Sequence, residues 1–345
     1  MSLLDLIKDD QKIISIIGLA KNAGKTEVLN SLLIESFEKG IKIGVTSIGR
    51  DGEKKDSVTN ISKPEIFVEP ETIIVTLDYY VKISDAEIEI LKVLNSKSFL
   101  GTYIVGKVRS NGTIQLAGPN STKRIKNICE FMLKIGCKKV FIDGALNRLS
   151  SSAPHISDSA IIATGAAVSN QMDKVVKKTL HQIHLFNLAE ISSIFNQVMT
   201  NSILKKDTIC LINKNKEIID LKLKTGLNNF KKIIKNIDES IEYIIFPGSL
   251  TDQMVKKIYS HGYTNIDYIV KDTTKLFISE KLLNEFLNLN INFYVYKSIK
   301  IIALTINPFS PQGYHFDSNV FKKEIKNYVK DLPVINVMEE NYDNR

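Results

Sequence analysis

The stretch Ile13-Ile14-Ser15-Ile16-Ile17-Gly18-Leu19-Ala20-Lys21-Asn22-Ala23-Gly24-Lys25-Thr26 decides the reading of this chain. Its first five residues form a short apolar, β-branched run that predicts a buried strand. A loop of small residues follows, and Lys25 opens a helix expected over Lys25–Lys39. Strand, small-residue loop and helix together make a phosphate cradle, because loop and first-turn N–H groups and the helix dipole all favour an anion. In such a loop the lysine reaches the β/γ-phosphates and the Thr hydroxyl binds Mg²⁺. The candidate nucleotide contacts are Gly18, Lys21, Asn22, Ala23, Gly24, Lys25, Thr26 and Glu27. The spacing departs from the common pattern: Gly18 and Gly24 enclose five residues, and Leu19 stands where the first glycine belongs. Either the loop is longer by one residue, or Gly18 ends the strand and Asn22 and Ala23 shape the turn.

Outward from this loop, acids at strand ends are the next signal. Lys138-Lys139-Val140-Phe141-Ile142-Asp143-Gly144 is an apolar strand closed by Asp-Gly. A carboxylate at a carboxyl strand end lies where ligands of open α/β sheets bind, and it can reach Mg²⁺ there. The plain alternative is a turn signal. The second strand runs out through Thr46-Ser47-Ile48-Gly49-Arg50-Asp51-Gly52-Glu53, with Asp56 beyond. Asp51 is a second candidate for the metal or the attacking water, Arg50 for phosphate, and the glycines suit a switch-like loop; a solvated charged turn is the competing reading. Lys25, Asp51 and Asp143 are thus the catalytic candidates, and Thr26, Asp143 and Asp51 the metal candidates.

Weaker signals surround these. Arg148, in the polar run Ala145-Leu146-Asn147-Arg148 that leads to Ser150-Ser151-Ser152-Ala153-Pro154, reads equally as a phosphate contact or a surface residue. Ser157-Asp158 reads as the N-cap of a helix, with a second anion site there as the alternative. Gln115-Leu116-Ala117-Gly118-Pro119-Asn120 reads as a lead-in to a helix from Thr122, with a contact to nucleotide or partner as the alternative. His181 and His184 have helical spacing but no further ligands in view, which argues against zinc. Asn213-Lys214-Asn215-Lys216 is like a guanine-reading motif, but Lys216 replaces its acid, favouring ATP over GTP.

The pattern along the chain predicts an α/β fold of the P-loop NTPase type, a largely parallel sheet with flanking helices, plus a second α/β region. Strands are expected at Lys12–Gly18, Ile41–Ser47, Thr72–Leu77, Gly101–Val108, Thr113–Ala117 and Lys139–Ile142, the Asn111-Gly112 pair marking a hairpin. Helices are expected at Ser84–Leu94, Thr122–Gly136 and Ser157–Val168, with Gly40 and Gly136 as C-caps, and Met172–Val198 reads helical. A second alternation has strands at Thr208–Ile212, Tyr243–Phe246, Asp267–Val270, Asn292–Tyr296 and Lys300–Ile306. The expected domains are residues 1–205, binding nucleotide, and residues 206–345, with extension of a single sheet by the second half as the alternative.

Composition excludes several classes. Apolar residues make 43% of the 345 and charged residues 24%, the profile of a soluble globular protein. No basic n-region with a long apolar core opens the chain, and no run nears a membrane span. Three cysteines without Cys-x-x-Cys spacing read as reduced thiols, so the expected location is the cytoplasm and no membrane partner is expected. The net charge of +8 comes from lysines spread along the chain without interleaved aromatics, which argues against nucleic acid.

Taken in order, GLAKNAGKT (Gly18–Thr26), SIGRDGE (Ser47–Glu53), Ala117-Gly118-Pro119, IDGALNR (Ile142–Arg148) and INPFSPQG (Ile306–Gly313) span nearly the whole chain. Together they resemble the P-loop reactivase subunit associated with adenosylcobalamin-dependent lysine 5,6-aminomutase of amino-acid-fermenting anaerobes, a family the five-residue loop spacing also suits. The resemblance implies a helper rather than the mutase: an ATPase, with Mg²⁺, that loosens the mutase so that intact cobalamin replaces a damaged one. It also implies a MutS-like second reactivase subunit as partner beside the B12-dependent aminomutase. Rival readings are a stand-alone enzyme of the dethiobiotin-synthetase or P-loop kinase type, a GTP-dependent cofactor chaperone, and a scaffold with a vestigial loop.

Overall fold

The computed structural model describes residues 2–48, 66–144 and 153–337. The chain forms two compact units, Met1–Leu180 with Lys300–Arg345, and His181–Ile299. The first unit opens with β1 (Ile13–Gly18), α1 (Lys25–Glu38), β2 (Ile43–Ser47), β3 (Ile66–Val68), β4 (Ile73–Leu77) and α2 (Asp78–Lys82). It continues with β5 (Ile88–Ser98), β6 (Gly101–Val108), β7 (Gly112–Ile114), α3 (Thr122–Lys134), β8 (Lys139–Gly144), β9 (Ser159–Gly165) and the first part of α4 (Met172–Phe186), whose residues from His181 belong to the second unit.

The second unit holds α5 (Gln197–Leu204), β10 (Ile209–Asn213), β11 (Ile218–Leu223), α6 (Phe230–Lys235), β12 (Ile241–Phe246) and β13 (Leu250–Thr251). Then come α7 (Asp252–Ser260), β14 (Asp267–Val270), β15 (Leu276–Phe277), α8 (Glu280–Asn288) and β16 (Phe293–Val295). The chain returns to the first unit as β17 (Ile301–Asn307), α9 (Ser318–Tyr328) and β18 (Val334–Asn336).

The first unit is built on a nine-stranded mixed sheet in the order β18-β17-β9-β1-β8-β2-β4-β6-β5. From β18 to β4 every pairing is parallel, while β6 and β5 add an antiparallel edge. Alternation along the strands sorts side chains to two faces. Ile14, Ile16, Val45 and Phe141 pack with Val28, Leu29, Leu32 and Leu33 of α1. Ile13, Ile73, Val140 and Ile142 pack with Ile125, Ile128, Cys129 and Met132 of α3. Both helices end as expected at a left-handed glycine, Gly40 (φ 63°) and Gly136 (φ 101°). Beyond each, an N–H closes back on the last turn, Ile41 to Ser36 at 2.8 Å and Cys137 to Met132 at 3.1 Å.

The second unit's sheet has the order β11-β10-β12-β14-β16, parallel from β12 to β16 and antiparallel beyond. Ile233, Val255, Ile258, Leu283 and Phe286 cover one face, and Ile191, Phe195 and Ile203 the other. No helix among the described residues is long and apolar enough to cross a membrane. The three cysteines are free and buried. Burial pushes the Cys129 thiol up to about 12 and that of Cys137 to about 11, so both stay protonated at neutral pH.

Several expectations need correction. Residues 300–345 do not continue a second domain from 206: β17 pairs with β9 and β18 with β17, adding both to the first sheet. The helix expected over Ser157–Val168 is β9, buried at every position and so without alternation. The helix expected over Ser84–Leu94 is in large part β5, where a bulge between Ile90 and Lys92 breaks the period of two. The hairpin at Asn111-Gly112 does not form, because β7 pairs with β3 rather than with β6. The helix expected over Met172–Val198 ends at Phe186.

Candidate functional site

At β1 the strand ends at Gly18, and Leu19 still donates its N–H to Ala163 of β9 at 2.8 Å. The strand ends at Gly18, as in the second of the two expected geometries, but the left-handed residues of the turn are Asn22 (φ 61°) and Gly24 (φ 96°), with Ala23 buried between them. Gly24 is also the N-cap of α1 and supplies no capping side chain. The N–H groups of the opening turn have no intrahelical acceptor by construction, so this helix start favours an oxygen-rich anion.

Lys25 folds back over the strand end. A Cβ built on Gly18 would lie 2.8 Å from Lys25 Nζ and 2.9 Å from its Cγ. Glycine at 18 therefore makes room for the lysine side chain along the loop. Thr26 follows in the first turn of α1.

Asp143 sits on β8, the neighbour of β1, in parallel register with Ile16. It shares strand parity with Phe141, which packs against α1, so its carboxylate belongs to the face on which Thr26 begins that helix. Asp143 is buried. Its backbone carbonyl accepts from the Ser47 hydroxyl at 3.3 Å and from the N–H of Ile48 at 3.2 Å, which fixes the end of β2 beside it. A hydroxyl and a carboxylate are hard oxygen donors of the kind Mg²⁺ takes.

Two further segments converge on this edge. Gly118 lies against β2, where a Cβ would stand 1.6 Å from the Ser47 carbonyl oxygen, so the Ala117-Gly118-Pro119 turn crosses the strand end. Asn307, the last residue of β17, comes within contact of the loop: a Cβ on Gly24 would be 3.1 Å from Asn307 Cβ, and one on Gly165 would be 2.1 Å from the Asn307 carbonyl oxygen. Residue by residue, Asn307 had no expected role on this edge, and the Gly118 segment had a nucleotide or partner contact only as the lesser reading. Their signal was a polar residue closing an apolar strand, Thr305-Ile306-Asn307, and a Gly-Pro turn.

Among the remaining candidates, Arg50, Asp51, Asp56 and Arg148 lie outside the described residues. Asp158 caps no helix and offers no anion site: its carboxylate accepts from the N–H groups of Lys12 and Ile13, both at 2.8 Å, at the amino end of β1. His181 binds the carbonyl of Ile278 through Nε2 at 2.9 Å. Asn213 and Lys216 belong to the β10–β11 turn of the second unit. The Asn213 side chain pairs with Glu217 at 2.7 and 2.9 Å, and Lys216 Nζ with Glu242 at 2.5 Å, so the guanine-like motif is a hairpin closure. Known protein families, curated proteins and solved structures all show no match to this chain.

Proposed function

We propose that the carboxyl edge of the nine-stranded sheet binds a nucleoside triphosphate with Mg²⁺, in the manner of a P-loop NTPase. We further propose that the chain is a cytoplasmic reactivating ATPase for a B12-dependent aminomutase of the lysine 5,6-aminomutase type. The observation that carries the nucleotide reading is Lys25 lying over Gly18 at an N-terminus capped by glycine, with Asp143 on the adjacent strand. In this reading Lys25 and the loop amides from Asn22 to Glu27 hold the phosphates, with Gly18 and Lys21 at the loop's entry. Thr26 and Asp143 are the donors for the cation, and Asp51 and Arg50 act from the segment that follows β2 in sequence. A bound Mg²⁺ would bridge phosphate oxygens and neutralise their charge.

The helper role rests on the motif resemblance, which also implies ATP rather than GTP as the nucleotide. Nucleotide state would alter the affinity of the edge for the mutase and its MutS-like partner, since only a differential affinity can drive a change of state. The test is ATP consumption by the purified chain with and without cobalamin-inactivated aminomutase and the second subunit. Consumption is expected to rise with the inactivated client and mutase activity to return. Identical consumption in every mixture overturns the helper role, and turnover of a small substrate by the chain alone replaces it with the stand-alone enzyme.

A further inference from the structure

We propose that the outer edge of β5 pairs with itself in a second copy of the chain, joining two nine-stranded sheets antiparallel about a two-fold axis between Ile90 and Leu91. Among the described residues β5 pairs with β6 alone, at the end of the sheet. It runs for 11 residues without a proline, so its outer row of N–H and C=O groups is an open template for another strand. The edge is also apolar where an unpaired edge is usually charged: Ile90, Leu91 and Val93 are 51%, 43% and 59% exposed.

The occupant is read from the order of the side chains. A two-fold antiparallel pair sets residues that share a face opposite one another, so its strand has to complement its own reverse. Ile88-Glu89-Ile90-Leu91-Lys92-Val93 does so. About this centre Ile88 meets the second copy's Val93, Glu89 its Lys92 and Ile90 its Leu91. In a regular strand the match fails, because Glu89 and Lys92, three apart, would point to opposite faces. The bulge between Ile90 and Lys92 removes the conflict. Glu89 stands opposite Lys107 of β6, in phase with Val105, which packs with α3. Lys92 Nζ lies 4.4 Å from the centre of the Phe131 ring of α3, so acid and base share that face. Ile88 and Val93 stand opposite Val108 and Ile104 and share the other face, where Ile88 and Val108 join the core beneath α1. Glu89 pairs with Arg109 of its own chain and stays half-exposed, with room for the second copy's lysine. A strand of unrelated sequence lacks this order, and a second copy has it by construction.

Sedimentation equilibrium of the full-length chain and of its Lys92→Glu, Glu89→Lys and doubly reversed variants, over roughly 1–200 μM and without nucleotide, tests this. The parent is expected to dimerise reversibly. Each single reversal sets like charges opposite one another at both symmetric positions. It should raise the dimer dissociation constant roughly tenfold, and the double reversal should restore it to within about threefold. Hydrogen exchange of the parent needs no variant: β5 amides should exchange more slowly at the high concentration than at the low. A chain that stays monomeric throughout overturns the proposal, as does a dimer indifferent to both single reversals or one that the double reversal does not restore. A monomer whose Lys92→Glu variant loses mutase rescue overturns it in favour of another protein on this edge. The phosphate site enters none of these outcomes, so the two readings fail separately.

Discussion

The two units both carry parallel strands joined by helices, yet their strand-to-helix turns end differently. In the second unit the polar groups after β12 and β14 engage one another. Asp252 at the start of α7 accepts from the N–H and hydroxyl of Ser279, at 2.8 and 2.6 Å. Asp272 accepts from the N–H of Thr274 at 2.9 Å, Ser279 caps α8 through Leu282 N–H at 3.3 Å, and β13 pairs with β15. In the first unit the turn after β1 has a glycine cap without a side chain and a lysine laid along it. A parallel sheet and a helix dipole are common to both. α7 too begins at an N-cap, Thr251, that makes no side-chain bond, so what marks the β1 turn is its left-handed Asn22 and Gly24 with the lysine laid along it.

Substitutions in each unit sharpen that contrast. Among substitutions that keep the lysine, Gly18→Val should have the largest effect, since its Cβ would meet Lys25 Nζ at 2.8 Å and push the lysine off the loop. Nucleotide affinity should fall about tenfold or more, the worth of one charged hydrogen bond of ~1.5–3 kcal/mol, with a melting point within about 4 °C of the parent. Calorimetric titration and scanning calorimetry check the two halves. Intact affinity would show that the lysine does not act from where it lies.

Asp143→Asn keeps the shape and removes the charge. The gain in ATP affinity on adding Mg²⁺ should drop by about tenfold, while affinity without the metal changes little. Titrations at zero and millimolar Mg²⁺ measure this, and an undiminished metal effect removes Asp143 from the cation shell. Ser279→Ala in the second unit should do the reverse: lose about 1 kcal/mol of stability with its cap and leave nucleotide affinity untouched. A parallel loss of ATP binding would erase the distinction between the two turns.

The smallest effect is expected at Asp267, whose carboxyl is raised by burial above its ordinary value, partly offset by hydrogen bonds from Asn292. On unfolding, such an acid loses its proton more readily, so its contribution to stability falls as pH rises from about 4 through its raised folded value. At neutral pH the buried charge is a liability, and the group is partly screened by solvent. Asp267→Asn should therefore raise the unfolding free energy slightly at pH 7, by under about 1 kcal/mol, and the gain should vanish below pH 4. Urea titrations at both pH values check the sign.

The strand, turn and helix of residues 13–38 were legible because their signals are local: an apolar run, small residues that tolerate left-handed backbone, and a helix start. Asp143 was legible as a strand-end acid, and its adjacency to β1 became visible only in the register. Elements whose pattern is non-local were missed. Ser159-Ala160-Ile161-Ile162-Ala163 reads as helix because a strand buried on both faces has no alternation. β5 was lost to its bulge, and β7 to a partner, β3, distant in sequence. Asn307 shows why the rest of the site was hidden. It joins the edge through a strand that comes back after the whole second unit.

Isothermal titration of Mg-ATP into the full-length chain and into Lys25→Ala tests the central claim most directly. Saturable one-to-one binding by the parent and a loss of about 100-fold in the variant are expected, on the worth of a charged contact in a phosphate cradle. Equal affinity in both proteins would contradict the account, as would no binding by a parent chain that melts cooperatively.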